Sequence, residues 1–184
     1  WNDLMDTVDY IKYYKNVIDG DLCSRLINHK FSYEPSAYAT HNSGGRVKND
    51  RVVSNDFWVR KDSIYFQGLK SCYDDVIKRY NLDFDLFTVQ HLTDFRISKY
   101  EAGGFMSRHV DNIHHSHGQQ WGFPQATSLL FLNDDYEGGN FVVAGKTFRT
   151  AAGSALIFPS NFMYPHEVIE ISEGTRYSVT CWLM

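Results

Sequence analysis

From residue 86 to the C-terminus the apolar positions fall in short alternating runs, and turn-forming residues punctuate them at Gly103-Gly104, Asn133-Asp134-Asp135, Gly138-Gly139, Gly145, Gly153 and Gly174. Alternation between turns is the pattern of half-buried strands, and many short strands in succession predict a sandwich or a barrel. Upstream the period changes. Across 62–80 the residues Leu69, Cys72, Tyr73, Val76, Ile77 and Tyr80 recur at i, i+3 and i+4, which predicts an amphipathic helix capped by Asp62 or Ser63. A shorter helix follows Asp21, with Leu22, Leu26 and His29 on the helical period, and the aromatic and β-branched run 8–18 before it reads as a strand. With helices before residue 81 and strands after it, the pattern predicts a mainly β fold with supporting α: a double-stranded β-helix, or jelly roll, buttressed by two or three N-terminal helices. No repeat or linker interrupts it, so residues 1–184 read as a single domain. The polar stretch from Thr40 to Arg51, with Gly44 and Gly45 at its centre, reads as a mobile loop, either a solvated connection or a lid over a binding site.

Composition sharpens this picture. At 43% hydrophobic and 22% charged residues the chain matches folded globular proteins and excludes disordered and collagen-like classes. Its 13 Phe, 12 Tyr and 4 Trp suit pleated, half-buried strands. A formal net charge of −4 supplies no global positive field, so no nucleic-acid partner is expected. No apolar run approaches the ~18 residues of a membrane span and no leader segment is evident, so no membrane partner is expected either. Cys23, Cys72 and Cys181 are odd in number and far apart, unlike a disulfide framework or a cysteine-type zinc site, and point to a reducing, cytoplasmic setting.

Three segments carry candidate chemistry. In Phe105-Met106-Ser107-Arg108-His109-Val110-Asp111-Asn112, read as a strand end, the period of two puts the His109 imidazole and the Asp111 carboxylate on one face. His166, in Tyr164-Pro165-His166-Glu167-Val168, opens another strand and is the proposed third ligand. Two imidazoles and a carboxylate on one face of an octahedral ion leave the other face open, the arrangement suited to non-haem Fe(II) chemistry with oxygen. In Gly174-Thr175-Arg176-Tyr177-Ser178-Val179-Thr180-Cys181-Trp182, alternation sends Arg176, Ser178, Thr180 and Trp182 to one face. An arginine pointing into a barrel needs an anion; a bound dicarboxylate supplies one, and an internal Asp or Glu partner is the plain alternative.

The order Tyr100-x-x-Gly-Gly-Phe, His109-x-Asp111, His166 and then Arg176 ten residues later resembles the 2-oxoglutarate-dependent oxygenases, and among them the prolyl hydroxylases. Arg108-His109-Val110-Asp111-Asn112, Pro165-His166-Glu167-Val168 and Thr175-Arg176-Tyr177 with Thr180 and Trp182 resemble the oxygen-sensing type. Gly138-Gly139 followed by Phe141 resembles a hairpin of the wider group, and the likeness covers roughly residues 86–184. It implies His109, Asp111 and His166 as catalytic iron ligands and Arg176 as the partner of the distal carboxylate of 2-oxoglutarate. Thr180 and Tyr100 would assist there, and Trp182 would border the cosubstrate or substrate pocket. It also implies Fe(II), 2-oxoglutarate and O2 as cofactor and cosubstrates, ascorbate as a candidate requirement, and a prolyl residue of a protein or peptide as substrate, held by the 40–51 loop. One position departs: Phe131 stands where the oxygen-sensing enzymes carry a tyrosine that helps hold the same carboxylate.

His114, His115 and His117 form a second cluster, read as loop residues open to adventitious metal. No nucleophile elbow or phosphate loop supports a hydrolase or kinase. Three other readings stay open: hydroxylation of a small molecule or free amino acid on the same fold, a cupin-like metal protein without oxygenase activity, and a non-catalytic β-sandwich binding module. Succinate release from 2-oxoglutarate separates the first from the second, and iron affinity excludes the third.

Overall fold

The computed structural model describes residues 6–39, 46–47, 50–112 and 122–184. After a short 3-10 turn, Thr7–Tyr10, come β1 (Lys12–Tyr14), α1 (Gly20–Asn28), β2 (Glu34–Pro35), β3 (Tyr38–Ala39), β4 (Arg46–Val47), β5 (Val52–Val53) and β6 (Asn55–Val59). Next are α2 (Phe66–Asp83), β7 (Phe95–Glu101), β8 (Phe105–His109), β9 (Ala126–Phe131), β10 (Glu137–Gly138) and β11 (Phe141–Val143). The chain ends through β12 (Lys146–Phe148), β13 (Ala155–Pro159), β14 (His166–Val168), β15 (Ile171–Glu173) and β16 (Thr175–Leu183).

All the pairings are antiparallel, and they build two principal sheets, β1-β13-β9-β16-β7-β6-β2 and β12-β11-β14-β8-β5. The expected jelly roll is what forms. The larger sheet is covered on both faces. One face packs Phe95, Ile97, Val179, Cys181 and Leu130 against Leu26, Leu69, Tyr73 and Val76 of the two helices. The other turns Tyr100, Leu129, Phe131, Leu156 and Phe158 toward Phe141, Val143 and Val168 of the smaller sheet. Tyr73 ties the helical layer down by donating from its hydroxyl to the Val179 carbonyl at 2.9 Å.

Several local expectations shift. Asp19, not Asp21, caps α1, its Oδ1 accepting from the Leu22 amide at 2.7 Å. Residues 60–65 are spent on turns closed by Ser63 N–H to Arg60 O and Phe66 N–H to Ser63 O, so α2 starts at Phe66 and neither Asp62 nor Ser63 caps it. Of the run 8–18 only Lys12–Tyr14 is strand, because only those residues find a partner, β13. Strands also precede the long helix: β6 pairs with β7 and brings Asp56 and Trp58 to the inner face. Within the Thr40–Arg51 stretch, Arg46–Val47 pairs with Tyr38–Ala39 as a small hairpin, while residues 40–45 and 48–49 lie outside the described residues. His114, His115 and His117 lie outside them too.

Gly139 shows how closely the fold is built around Arg176. Its φ is +62°, and a Cβ there would collide with Ile171 Cδ1 and sit 3.2 Å from Arg176 Cδ. Gly139→Ala is expected to lower the melting temperature and weaken binding of an anion at Arg176, since strain and displacement fall on the same guanidinium stem. Thermal denaturation read beside 2-oxoglutarate titration checks it; an unchanged melting temperature would contradict it.

Candidate metal centre

β8 and β14 run antiparallel with His109 directly opposite His166, so two imidazoles from distant parts of the chain face each other with ring centroids 4.2 Å apart. Asp111 lies just beyond the end of β8, in a bend, and not on the strand as its alternation with His109 suggested. It nevertheless reaches the same point: its Oδ1 is 3.5 Å from His109 Nε2 and its Oδ2 is 3.3 Å from His166 Nε2. The three ligand atoms lie within 4.8 Å of one another, the one such group of His, Cys, Asp or Glu among the described residues.

Hydrogen bonds set the protonation pattern. His109 Nδ1 is 2.8 Å from the Ser107 carbonyl and His166 Nδ1 is 3.1 Å from the Tyr164 carbonyl. A carbonyl oxygen can only accept, so each Nδ1 carries a proton; each Nε2 faces Asp111, donating to the carboxylate when the ring is protonated and offering its lone pair when a metal is bound. Thr127 donates from Oγ1 to Asp111 Oδ2 at 2.7 Å and is itself bonded to Ser160 Oγ at 2.8 Å. Thr127 and Ser160 were not singled out from sequence; the adjacent hydroxyls of Thr127 and Ser128 in a wholly buried central strand were the one available signal, and it concerned Thr127 alone.

Burial alone would raise the Asp111 carboxyl, but the two adjacent imidazoles outweigh it and hold the group well below its ordinary range. Burial is also the larger cause lowering His109, with the His166 charge adding to it and Asp111 opposing. The centre is therefore an ionised carboxylate between two imidazoles, a donor set that fits a divalent first-row ion such as Fe(II). The thiols offer no competing chemistry: burial pushes Cys23 and Cys72 up to about 11 and Cys181 up to about 12.

On the facing sheet Arg176 is wholly buried. Its Nη1 donates to Ser178 Oγ at 3.1 Å, while Nε and Nη2 are buried with no hydrogen-bond partner. No carboxylate among the described residues meets it, so the internal ion pair weighed from sequence is absent there. The guanidinium carbon lies 5.3 Å from the Tyr100 ring and 5.4 Å from the Phe131 ring, and Gly139 flanks its stem. Two unmet donors on a buried cation are costly, and a ligand carboxylate accepting both removes the cost. Tyr100 is buried and paired with Arg176 across β7 and β16. Thr180 is buried on the same inner face two positions beyond Ser178. Trp182 is buried next to Thr127 across β16 and β9, which places it beside the Asp111 support.

Two measurements follow. Thr127→Ala frees one Asp111 oxygen and is expected to weaken Mn(II) binding about tenfold, measured by titration calorimetry; unchanged affinity would remove Thr127 from the centre. In metal-free protein, an unfolded His109 takes up its proton near pH 6.5 and the folded one only at lower pH. Between those values the unfolded state binds more protons, so stability falls as pH drops below about 6.5. Asp111 adds no slope there, because its contribution is complete above its unfolded value of 3.8 and is lost only on further acidification. Melting curves between pH 7 and pH 5 should show this decline in the wild type and a shallower one in His109→Gln.

Residues 95–184 match the family model described as the 2OG-Fe(II) oxygenase superfamily. A PKHD-type hydroxylase of Prochlorococcus marinus is 25% identical over 158 residues, covering 83% of this chain and 66% of the relative. A PKHD-type hydroxylase of Synechococcus elongatus is 32% identical over 100 residues, covering 51% of this chain and 44% of the relative. The chain thus spans less than two thirds of either curated relative. Among solved structures, a prolyl hydroxylase in complex with a hypoxia inducible factor oxygen degradation domain peptide fragment, from Trichoplax adhaerens, shares the fold at a TM-score of 0.76. The two are 18% identical, with 97% of this chain and 86% of that one covered. The matched residues 95–184, just under half of the chain, include His109, Asp111, His166 and Arg176, and the fold around them is shared with the solved prolyl hydroxylase, so the chain is similar to the 2OG-Fe(II) oxygenase superfamily through the part that carries the site.

Proposed function

We propose that this chain is an Fe(II)- and 2-oxoglutarate-dependent hydroxylase acting on a prolyl residue of a protein or peptide. The observation that carries the reading is the pairing of a His109-Asp111-His166 centre with a buried guanidinium lacking acceptors for two of its nitrogens. The first suits Fe(II) and the second suits the far carboxylate of a keto diacid. The prolyl substrate rests on the resemblance of the motifs and on what the neighbouring structure is described as binding.

His109 and His166 would hold the metal through Nε2 and Asp111 through a carboxylate oxygen, with Thr127 and Ser160 fixing the carboxylate and two backbone carbonyls fixing the rings. Bound Fe(II), 2-oxoglutarate and O2 together supply oxidation of a C–H bond to C–OH, the cosubstrate leaving as succinate and carbon dioxide. Arg176 would grip the distal carboxylate. Phe131 supplies no hydroxyl at this grip, and Ser178, whose Oγ accepts from Arg176, both orients the fork and keeps its own proton to donate. Tyr100 and Thr180 line the same face, and Leu129, Leu156 and Phe158 exclude water from it. Ascorbate belongs to the proposal as an assay requirement. The buried free cysteines accord with a reducing compartment, and the cytoplasm is the proposed location. No helix among the described residues is long and apolar enough to cross a membrane.

The test is succinate release from 2-oxoglutarate with Fe(II) and ascorbate, followed by a mass shift of 16 Da on a proline-containing peptide, the mass of the added oxygen by the chemistry above. Arg176→Gln is expected to weaken 2-oxoglutarate binding at least ~30-fold. Ser178→Ala should weaken it less, and adding Phe131→Tyr to Ser178→Ala should recover part of the loss. Retention of full 2-oxoglutarate affinity by Arg176→Gln would overturn the cosubstrate assignment.

A further inference from the structure

A second cation faces the inside of the double sheet. Arg96 on β7 shares its inner face with Ser98 and Tyr100 and pairs with Thr180 of β16 and Trp58 of β6. Its guanidinium carbon lies 4.6 Å from the centroid of the Trp182 ring, and Trp182 in turn lies against Trp58, tilted by 31° with centroids 6.1 Å apart. Trp182 is the cross-strand neighbour of Thr127, the residue that supports Asp111. With strands ~4.8 Å apart and ~3.4 Å per residue, two strand spacings and an offset of two residues set Arg96 about 12 Å from Thr127. That is within reach of a substrate whose reacting carbon sits at the metal.

Arg96 is poorly satisfied for a structural pair. Its nearest carboxylate oxygen, Asp56 Oδ2, is 3.9 Å away, beyond hydrogen-bond length, while Asp56 Oδ1 is occupied by Ser98 at 2.8 Å. A purely structural Arg–Asp pair closes as a two-pronged fork near 2.8 Å. Here Nε is buried with no hydrogen-bond partner, and the side chain keeps 19% of its surface, so a ligand can still touch it. Nor is Arg96 a second grip on 2-oxoglutarate. Arg176 pairs with Tyr100, four residues and ~13 Å along β7 from Arg96, so the two cations serve different ends of the cavity.

We propose that Arg96, held against Trp182, binds a carboxylate carried by the substrate. This rests on the hydroxylase reading and narrows its substrate class to acids. The carboxylate has two chemical sources: the α-carboxylate of a free or C-terminal amino acid, or the side chain of an Asp or Glu next to the modified residue in a peptide. Trp182 gives the cation a fixed plane and removes solvent from one face, which strengthens a charge-assisted bond on the other. Asp56, loosely placed, keeps the guanidinium oriented without occupying its donors.

The experiment is titration calorimetry on full-length protein loaded with Mn(II) and N-oxalylglycine. Its probes are matched pairs: proline against prolinamide, and capped peptides with Asp-Pro against Asn-Pro, each repeated with alanine in place of proline. The wild type should prefer the acid of one pair about tenfold, and that pair names the source. Arg96→Gln, which can still donate to Asp56, should bring the ratio to about one, and Arg96→Lys should keep part of it. Because each ratio is internal to one variant, a loss of folding cannot imitate the effect. Indifference of the wild type to every pair, or a preference that persists in Arg96→Gln, overturns the assignment. An equal acid preference in the alanine pairs upholds Arg96 and removes the prolyl substrate. An Arg96-dependent preference in a protein that releases no succinate upholds Arg96 and removes the hydroxylase.

Discussion

An ion placed between two packed β-sheets is stripped of its hydration, and the protein must supply whatever the water supplied. That constraint organises the inner cavity of this fold. Asp111 sits there with its charge intact because two imidazole nitrogens and the Thr127 hydroxyl surround it. Arg176 sits there with the opposite arrangement: one donor is met by Ser178 and two are unmet. A structure that satisfied Arg176 internally would be more comfortable and would have no use for a diacid. The unmet donors are thus the strongest physical argument for a ligand in this part of the molecule.

The jelly roll makes this placement tolerable. Its larger sheet is covered on the outside by two helices, so the strands that carry Arg176, Thr180 and Trp182 are anchored by an apolar layer that the site does not disturb. Polar residues on the inner face of β16 and β7 alternate with core residues such as Val179, Cys181, Phe95 and Ile97 on the outer one. Functional and structural demands are thereby separated by the two-residue period of a strand. The smaller sheet does the same for the histidines. His166 is flanked in its own sheet by Val143, and Phe158 approaches it edge-on from across the cavity. The ring is wedged between partners that fix its plane.

The two cations of the inner face differ in a way that bears on specificity. Arg176 is sealed, with two donors still unmet. Arg96 is partly open, braced by an aromatic plane and only loosely paired. Phe131 fits this division: it supplies no hydroxyl at the Arg176 end, and Ser178, directly opposite it on the neighbouring strand and two residues along from Arg176, supplies one.

Much of this was legible in the residue order. Alternation separated Arg176, Ser178, Thr180 and Trp182 from Tyr177, Val179 and Cys181, because strand geometry admits no other division. The motif order around His109, Asp111 and His166 pointed to a metal centre, and the turn residues between short apolar runs pointed to a jelly roll. What the linear text could not contain was register and the consequences of partners. That Asp111 leaves the strand and still converges depends on the bend after His109 and on Thr127, brought there by the pairing of β9 with β13 and β16. The start of α2 at Phe66 depends on turns at 60–65 that competed with its caps. Arg96 and Asp56 were not singled out from sequence, since nothing in their neighbourhood of sequence shows that β6 and β7 pair and turn both inward. Local pattern determines which face a side chain takes; only the pairing of distant strands decides what that face looks at, because hydrogen bonds between strands carry no record in either strand alone.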